Sequence, residues 1–284
     1  MLDRIEEAVI YQVRTRAFFD SLKKYGFSSA FKSTLSDAGF KIYSKKKFPS
    51  KDFEIRVRSH WSWDLLEEGR WEYECVKHFY DVVKVGSVII DVGAWQGPYT
   101  ILFSKLTGDE GRVISFEPDP RAREILSDNI RANDIKNAKI ESYVLSNEPG
   151  KITLNSQWFG DSGSTIMKHL DKGNVRKVLV DAITLDQYCE DKKIHPQGIK
   201  VDVEGAEGLV IEGAQKIIRK NAPWLMLEFH GQFMSDNERV KIWHDITRGA
   251  IKMHYIDGES KTLRYGDELR SFPDCLSFHV FIQY

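Results

Sequence analysis

VIIDVGAWQGPYTILFSKLTGDEGRVISFEPD, residues 88–119, is the stretch whose reading decides the fold of this chain. An apolar run, Val88 to Ile90, ends at Asp91, and Gly93 and Gly97 follow. A helical pattern comes next, and a second apolar run, Val113 to Phe116, ends at Glu117. The order is strand, glycine turn, helix, strand, with a carboxylate at the tip of the second strand. Such a unit predicts a grip on an adenosine-bearing cofactor.

The glycine spacing narrows the cofactor. A dinucleotide fingerprint, G-x-G-x-x-G, lets backbone close on a pyrophosphate at a helix N-terminus. Here Trp95 and Pro98 occupy the positions where the later glycines would fall, and only Gly93-x-x-x-Gly97 remains. Trp95 crowds a pyrophosphate, and Pro98 removes an N–H donor. Asp91 repels a phosphate but suits an ammonium or a sulfonium. Glu117 is placed to accept from both ribose hydroxyls. S-adenosylmethionine fits this turn, having a ribose and a positive sulfur but no phosphate. The same run also fits a plain α/β strand without ligand, or a nucleotide site, the usual risk of short motifs.

Length allows one large domain or two small ones: 284 residues, with an ordinary apolar and charged content. A net charge of −1 gives no strongly basic surface for nucleic acid. One local positive cluster remains, Lys45, Lys46, Lys47, Lys51, Arg56 and Arg58, which most simply reads as solvated loop. Cys75, Cys189 and Cys275 are scattered, without metal spacing, so free thiols in a reducing compartment are expected. No run reaches the roughly 18 apolar residues of a membrane helix. The early acids Glu6 and Glu7 argue against a secretory signal, so a cytoplasmic protein is expected.

Residues 1–58 read as a helical and irregular extension. Ile5, Val9, Val13 and Phe18 give it a helical apolar stripe, suited to packing on the main domain or on a second copy. From Trp71 a helix leads to Gly86, and strands then alternate with helices. Strands are expected at Val88–Asp91, Val113–Glu117, Lys139–Leu145, Val178–Ile183, Gly198–Val203 and Pro223–Phe229, with a hairpin partner at Lys151–Leu154. Helices are expected at Thr100–Leu106, from Pro120 to about Asn133, at Leu185–Glu190, Leu209–Lys220 and Asp236–Arg248. His254–Ile256 and Ser277–Gln283 close the sheet as a pair. This alternation predicts a mostly parallel sheet covered on both faces, with ligands at the carboxyl ends of its strands. The polar run from Gly160 to Ser164 is a candidate substrate loop.

A second constellation lies at Asp202-Val203-Glu204-Gly205, with Glu207 three residues on. Carboxylates at a strand tip are costly unless paired or used. One beside a substrate hydroxyl serves as a general base; Glu207 also suits a plain helix N-terminal acid. His230, after Glu228, is a further candidate proton acceptor or a structural hydrogen-bonding group. Asp202, Glu228 and His230 would suit a divalent ion if they converged, but no spacing rule supports this and no metal is expected.

DVGAWQGPYT, FEPD, SYVLSN, ITLDQY, KVDVEGAE, IEGA and PWLMLEFHG, in that order, resemble the FkbM family of S-adenosylmethionine-dependent methyltransferases over roughly Trp71 to Gly231. The resemblance implies the class I methyltransferase fold: a Rossmann-like α/β three-layer sandwich whose mostly parallel, seven-stranded sheet has one antiparallel strand. Beside the extension read over residues 1–58, a methyltransferase domain is expected over residues 59–284. It places Asp91, Gly93, Ala94 and Gly97 on the methionine side of the cofactor and Glu117 on its ribose. Pro118, Asp119, Leu145 and Ser146 then lie near the adenine, and Asp202 and Glu204 near the methyl group. Tyr99 and Thr100 match the aromatic–threonine pair that begins the first helix. Trp95 departs from the small polar residue usual there.

The expected reaction is O-methylation of a hydroxyl on a sugar, polyketide, glycan or other small molecule. Asp202 or His230 is expected as base, with Glu204 orienting the acceptor or binding the cofactor, and the loop from Trp158 to Thr165 covering the acceptor. The rivals are an RNA methyltransferase on the same fold and a cofactor-binding scaffold without activity. An NAD-dependent dehydrogenase is disfavoured by Trp95 and Pro98.

Overall fold

The computed structural model describes residues 41–156, 163–167, 175–257, 263–265 and 277–284. The apolar stripe of residues 1–40, the loop residues Trp158 and Phe159, and Cys275 lie outside them.

The described chain starts with a β-hairpin, where a helical or irregular lead-in was expected. Strand β1 (Tyr43–Lys47) pairs antiparallel with β2 (Glu54–Arg58). In β2 the alternation is real: Ile55 and Val57 are buried while Glu54 and Arg56 are exposed. The lysine run hides this pattern on the first strand. The basic cluster is largely neutralised within the hairpin and its neighbours. Lys45 pairs with Glu54, Lys46 with Asp64 and Glu67, Lys47 with Asp52, and Arg58 with Asp128. Lys51 and Arg56 lie over the rings of Tyr80 and Tyr43.

Helices α1 (Trp61–Glu67) and α2 (Tyr73–Val82) follow, and then the alternation begins. Strand β3 (Val88–Val92) leads to α3 (Pro98–Thr107), β4 (Arg112–Phe116), α4 (Pro120–Ala132) and β5 (Ala138–Glu141). A small sheet comes next, formed by β6 (Val144–Leu145), β7 (Gly150–Ser156) and β8 (Arg176–Ile183). The chain returns through α5 (Leu185–Lys192), β9 (Gly198–Val201), α6 (Glu207–Glu212), α7 (Gln215–Asn221) and β10 (Trp224–His230). It closes with α8 (Asp236–Thr247), β11 (Lys252–Asp257), the short β12 (Leu263–Tyr265) and β13 (Ser277–Gln283).

The main sheet has the order β12-β11-β13-β10-β9-β3-β4-β5. From β5 to β10 the neighbours are parallel, and β13 runs antiparallel to both β10 and β11. This is the expected seven-stranded sheet with one reversed strand, extended at its edge by β12. Successive residues of β3 serve opposite faces: Ile89 joins one buried cluster with Val113, Met226 and Phe281, and Ile90 joins another with Ile114, Ile199 and Val280. The chain winds outward from β3 to β5, then restarts at β9 on the other side of β3. The carboxyl ends of β3 and β9 therefore flank the point where strand order reverses, the usual place for a ligand.

Two expected elements divide. Lys139–Leu145 is not one strand: β5 ends at Glu141, opposite the last residue of β4, and Val144–Leu145 joins the small sheet. Beyond Phe116 no ladder of the main sheet remains for it to pair with. Accordingly β7 pairs with β8, from Gly150↔Ala182 to Ser156↔Arg176, and not with Lys139–Leu145. The single helix Leu209–Lys220 is two, α6 and α7, separated at Gly213-Ala214. A Cβ on Gly213 would lie 2.1 Å from the Ser146 carbonyl oxygen, so the break is where the helices touch the end of β6. No helix among the described residues is long and apolar enough to cross a membrane.

Candidate active site

The loop after β3 is shaped by close backbone approach. Gly93 and Ala94 donate their N–H groups to the Phe116 carbonyl (3.0 and 3.1 Å). Gly93 has φ +74, and a Cβ there would sit 1.8 Å from the Asp202 carbonyl oxygen. Only glycine lets the tips of β3 and β9 meet this closely. Trp95 also adopts a left-handed φ, +48, which aims its N–H at Glu117 Oε2 (2.6 Å). Gly97 and Pro98 then start α3, and Pro98 takes the first helical position.

Glu117, at the end of β4, is buried. Its Oε2 accepts from Trp95 and its Oε1 accepts from the Asp119 N–H (2.8 Å). Burial nonetheless pushes its carboxyl up to about 8, against these two donors. A ribose would bring hydroxyl donors to that carboxylate. Asp119 is the N-cap of α4: its Oδ1 accepts from the Arg121 and Ala122 N–H groups. Its Oδ2 accepts from Ser164 (2.7 Å), while the Thr165 hydroxyl donates to the Glu204 carbonyl (2.8 Å). The described end of the polar loop thus ties the two sides of the site together.

Under the loop lies a buried charge cluster. Asp91 accepts from Thr100 Oγ1 (2.6 Å), and its other oxygen faces Lys200 Nζ at 3.7 Å. Lys200 is 2% exposed and donates to Asp202 Oδ2 and to the Gly93 carbonyl, both at 3.0 Å. Burial alone would depress the ammonium, but Asp202, Asp91 and Glu72 outweigh it and hold Lys200 charged. Burial likewise pushes the carboxyls of Asp91 and Asp202 up, and Lys200 draws both back.

The far side is built from carboxylates and imidazoles. Glu204, at φ +55, projects from the turn after β9. Burial pushes its carboxyl up to about 7, partly offset by His230. Glu207 is fully buried and accepts from the Gly205 N–H (3.0 Å) and from His230 Nδ1 (2.8 Å). His230 Nε2 lies 3.6 Å from Glu204 and 3.4 Å from Glu228. Burial works against its charged form, but Glu207, Glu228 and Asp202 raise it to about 10. Beyond Glu228 the alternation continues: His279 Nε2 lies 3.3 Å from Glu228 and 3.6 Å from Glu72. Glu72 accepts from the Tyr99 hydroxyl, and its carboxyl is pushed up to about 7 by burial against the pull of His279.

These groups surround one cavity of roughly 1160 Å³, its open mouth included. Of the expected residues, Gly93, Ala94, Tyr99, Glu117, Pro118, Leu145, Asp202 and Glu204 line it. Asp91, Gly97, Thr100, Asp119, Ser146 and His230 stand behind the wall and hold it in place. The sequence reading missed Lys200, Glu72, His279 and the mouth residues Trp61 and Trp71. Lys200 did carry a signal, since a lysine inside an apolar parallel strand must be paired. Asp202, Glu228 and His230 do converge, with ligand atoms within 4.8 Å of one another, and so do Glu72, Cys75 and His279.

The residues fit S-adenosylmethionine. The walls near Phe116, Val144 and Leu145 are apolar enough for an adenine, Glu117 offers a carboxylate to hydroxyl donors, and the glycine loop leaves no Cβ in the way. A seven-stranded sheet with this order, a glycine turn after its first strand and an acid ending its second define a class I S-adenosylmethionine-dependent methyltransferase. Residues 91–264 match the family described as the Methyltransferase FkbM domain, well over half the chain. The chain belongs to that family. No curated protein matches it. Similar solved structures include an FkbM methyltransferase from Methylobacillus flagellatus KT, at 15% identity and TM-score 0.46. That alignment covers 80% of this chain and 56% of the other, so this chain spans little more than half of that relative. A SAM-dependent O-methyltransferase from Thermotoga maritima is 11% identical, with 74% and 64% covered and a TM-score of 0.44. An rRNA methylase from Streptococcus thermophilus is 9% identical, with 74% and 94% covered and a TM-score of 0.45.

Proposed function

We infer that this protein methylates a hydroxyl of a small, polar, uncharged acceptor such as a sugar, a glycan terminus or a hydroxylated polyketide. The observation that carries this is the composition of the cavity beyond the glycine loop. Trp61, Trp71, Trp95 and Tyr99 line it on one side, and Glu72, Asp202, Glu204 and Glu228 line its floor. Aromatic faces pack on sugar C–H surfaces, and carboxylates accept from hydroxyls. A phosphate-rich acceptor would meet like charge there. The lysines that favoured RNA are largely spent on neighbouring acids.

Methyl transfer needs the acceptor aligned with the bound cofactor and its proton removed. When bound, S-adenosylmethionine supplies an activated methyl carbon. The chain's own part is orientation and proton transfer. Glu204 is the better base: it faces the cavity and sits near 7, where it takes a proton at neutral pH. His230 keeps its own proton and orients Glu204 and Glu228. Asp202, tied to Lys200, positions the acceptor. In this reading the base is Glu204, in place of the Asp202 or His230 expected from sequence.

The test is transfer of labelled methyl from S-adenosylmethionine to a panel of glycosides and polyols, with short RNAs in parallel. Label in a hydroxylated acceptor, with kcat lowered about 100-fold or more by Glu204→Gln, supports the assignment. Label in RNA alone, or a Glu204→Gln variant of full activity, overturns it.

A further inference from the structure

Cys75 and His279 have no part in methyl transfer as described, and they cluster with Glu72 at the cavity floor. Glu72 caps the start of α2 and Cys75 is its third residue, so a three-residue spacing puts both on one face of the helix. His279 reaches the same point from β13, more than 200 residues later. One ligand atom of each lies within 4.8 Å of the others. Cys75 is 1% exposed and His279 is 8% exposed. His279 Nε2 has no hydrogen-bond partner, although it points between two carboxylates. A buried ring nitrogen in that state costs free energy unless something else fills the space.

We propose that Glu72, Cys75 and His279 form a zinc site at the cavity floor, with Glu228 as the fourth donor. The donor set selects the metal: imidazole and thiol favour zinc over magnesium or calcium. Glu228 Oε2 lies 3.3 Å from His279 Nε2, close to the spacing of two ligands on one tetrahedral ion. Glu72 and Glu228 also line the cavity, so an ion has a path in from solvent. The neighbouring triad of Asp202, Glu228 and His230 is a poorer site. It has no thiol and two hard carboxylates, a set that selects zinc less sharply.

The full chain, stripped with a chelator and shown to be folded by circular dichroism, is titrated with Zn2+ and with Co2+. The site predicts one equivalent of zinc and, with cobalt, a thiolate-to-metal charge-transfer band. Cys75→Ser abolishes the band, and Cys75→Ser and His279→Gln each weaken zinc by more than about tenfold. Asp202→Asn, in the neighbouring triad, leaves zinc binding in place. No stoichiometric zinc on the folded chain, or cobalt binding without the thiolate band, overturns the proposal. So does binding that survives both variants or is lost in Asp202→Asn. None of these readouts requires a methyl acceptor or bound cofactor.

Discussion

At the Glu117 end of the cavity, buried carboxylates are met mainly by backbone N–H groups; at the Glu204 end they are met mainly by titratable side chains. Glu117 accepts from Trp95 and Asp119, and Asp119 from Arg121 and Ala122. Every one of these donors lies within about one supersecondary unit. Asp202, Glu204, Glu207 and Glu228 rely chiefly on Lys200, His230 and His279, drawn from three strands, although Glu207 also accepts from the Gly205 N–H. Backbone donors are fixed by the fold and do not titrate. Lysine and histidine partners do titrate, and each serves several acids at once. The first end is therefore a rigid template, and the second is an electrostatic network in which one change reaches several residues.

The largest expected effect tests the network. Lys200→Met leaves Asp91 and Asp202 buried without their cation and should cost about 3–5 kcal/mol in urea unfolding. A loss under about 1 kcal/mol would mean that the two acids are neutral in the native protein and that no network exists. The template end should respond differently. Glu117→Gln keeps the shape but turns an amide NH2 toward one of the two backbone donors, so it should weaken S-adenosylmethionine about 10- to 100-fold and cost about 1–3 kcal/mol in urea unfolding, less than Lys200→Met. A variant that binds as tightly as the parent would move the ribose elsewhere.

A third contrast uses pH. His230 is raised to about 10 in the folded chain, from an ordinary value near 6.5. Its contribution to stability is complete below about pH 6.5 and is lost as pH rises through about 10. Between those limits stability should fall by up to about 1.4 kcal/mol per pH unit from this group. The slope should shrink in His230→Gln. An unchanged slope in that variant would assign the pH dependence to other groups. The smallest effect belongs to the surface. Lys45→Ala and Lys47→Ala break exposed, salt-screened pairs and should leave the urea midpoint and methyl transfer unchanged. A marked loss of activity in either would revive the nucleic-acid reading.

The same division explains what could be read from sequence. Asp91, Gly93, Gly97 and Glu117 lie within 27 consecutive residues, and their spacing is the geometry of one strand–turn–helix–strand unit. Asp202 and Glu204 were legible for the same reason. Glu72, Lys200 and His279 were not, because their meaning depends on strand order: β13 lies beside β10, and β10 beside β9, only in the folded sheet. His230 was visible, but its protonation was not, since Glu207 and Glu228 reach it from two elements. The division of Lys139–Leu145 between two sheets was equally hidden, because β4 ends where it must diverge.

The most direct test of the account is calorimetric titration of the purified protein with S-adenosylmethionine and its demethylated product, beside Gly93→Ala. A Cβ at Gly93 would strike the Asp202 carbonyl and push apart the two strand tips that form the cavity. The account predicts micromolar binding of both ligands by the parent chain and none by a folded Gly93→Ala variant. Failure of the folded parent to bind either ligand, or equal binding by the variant, would contradict it.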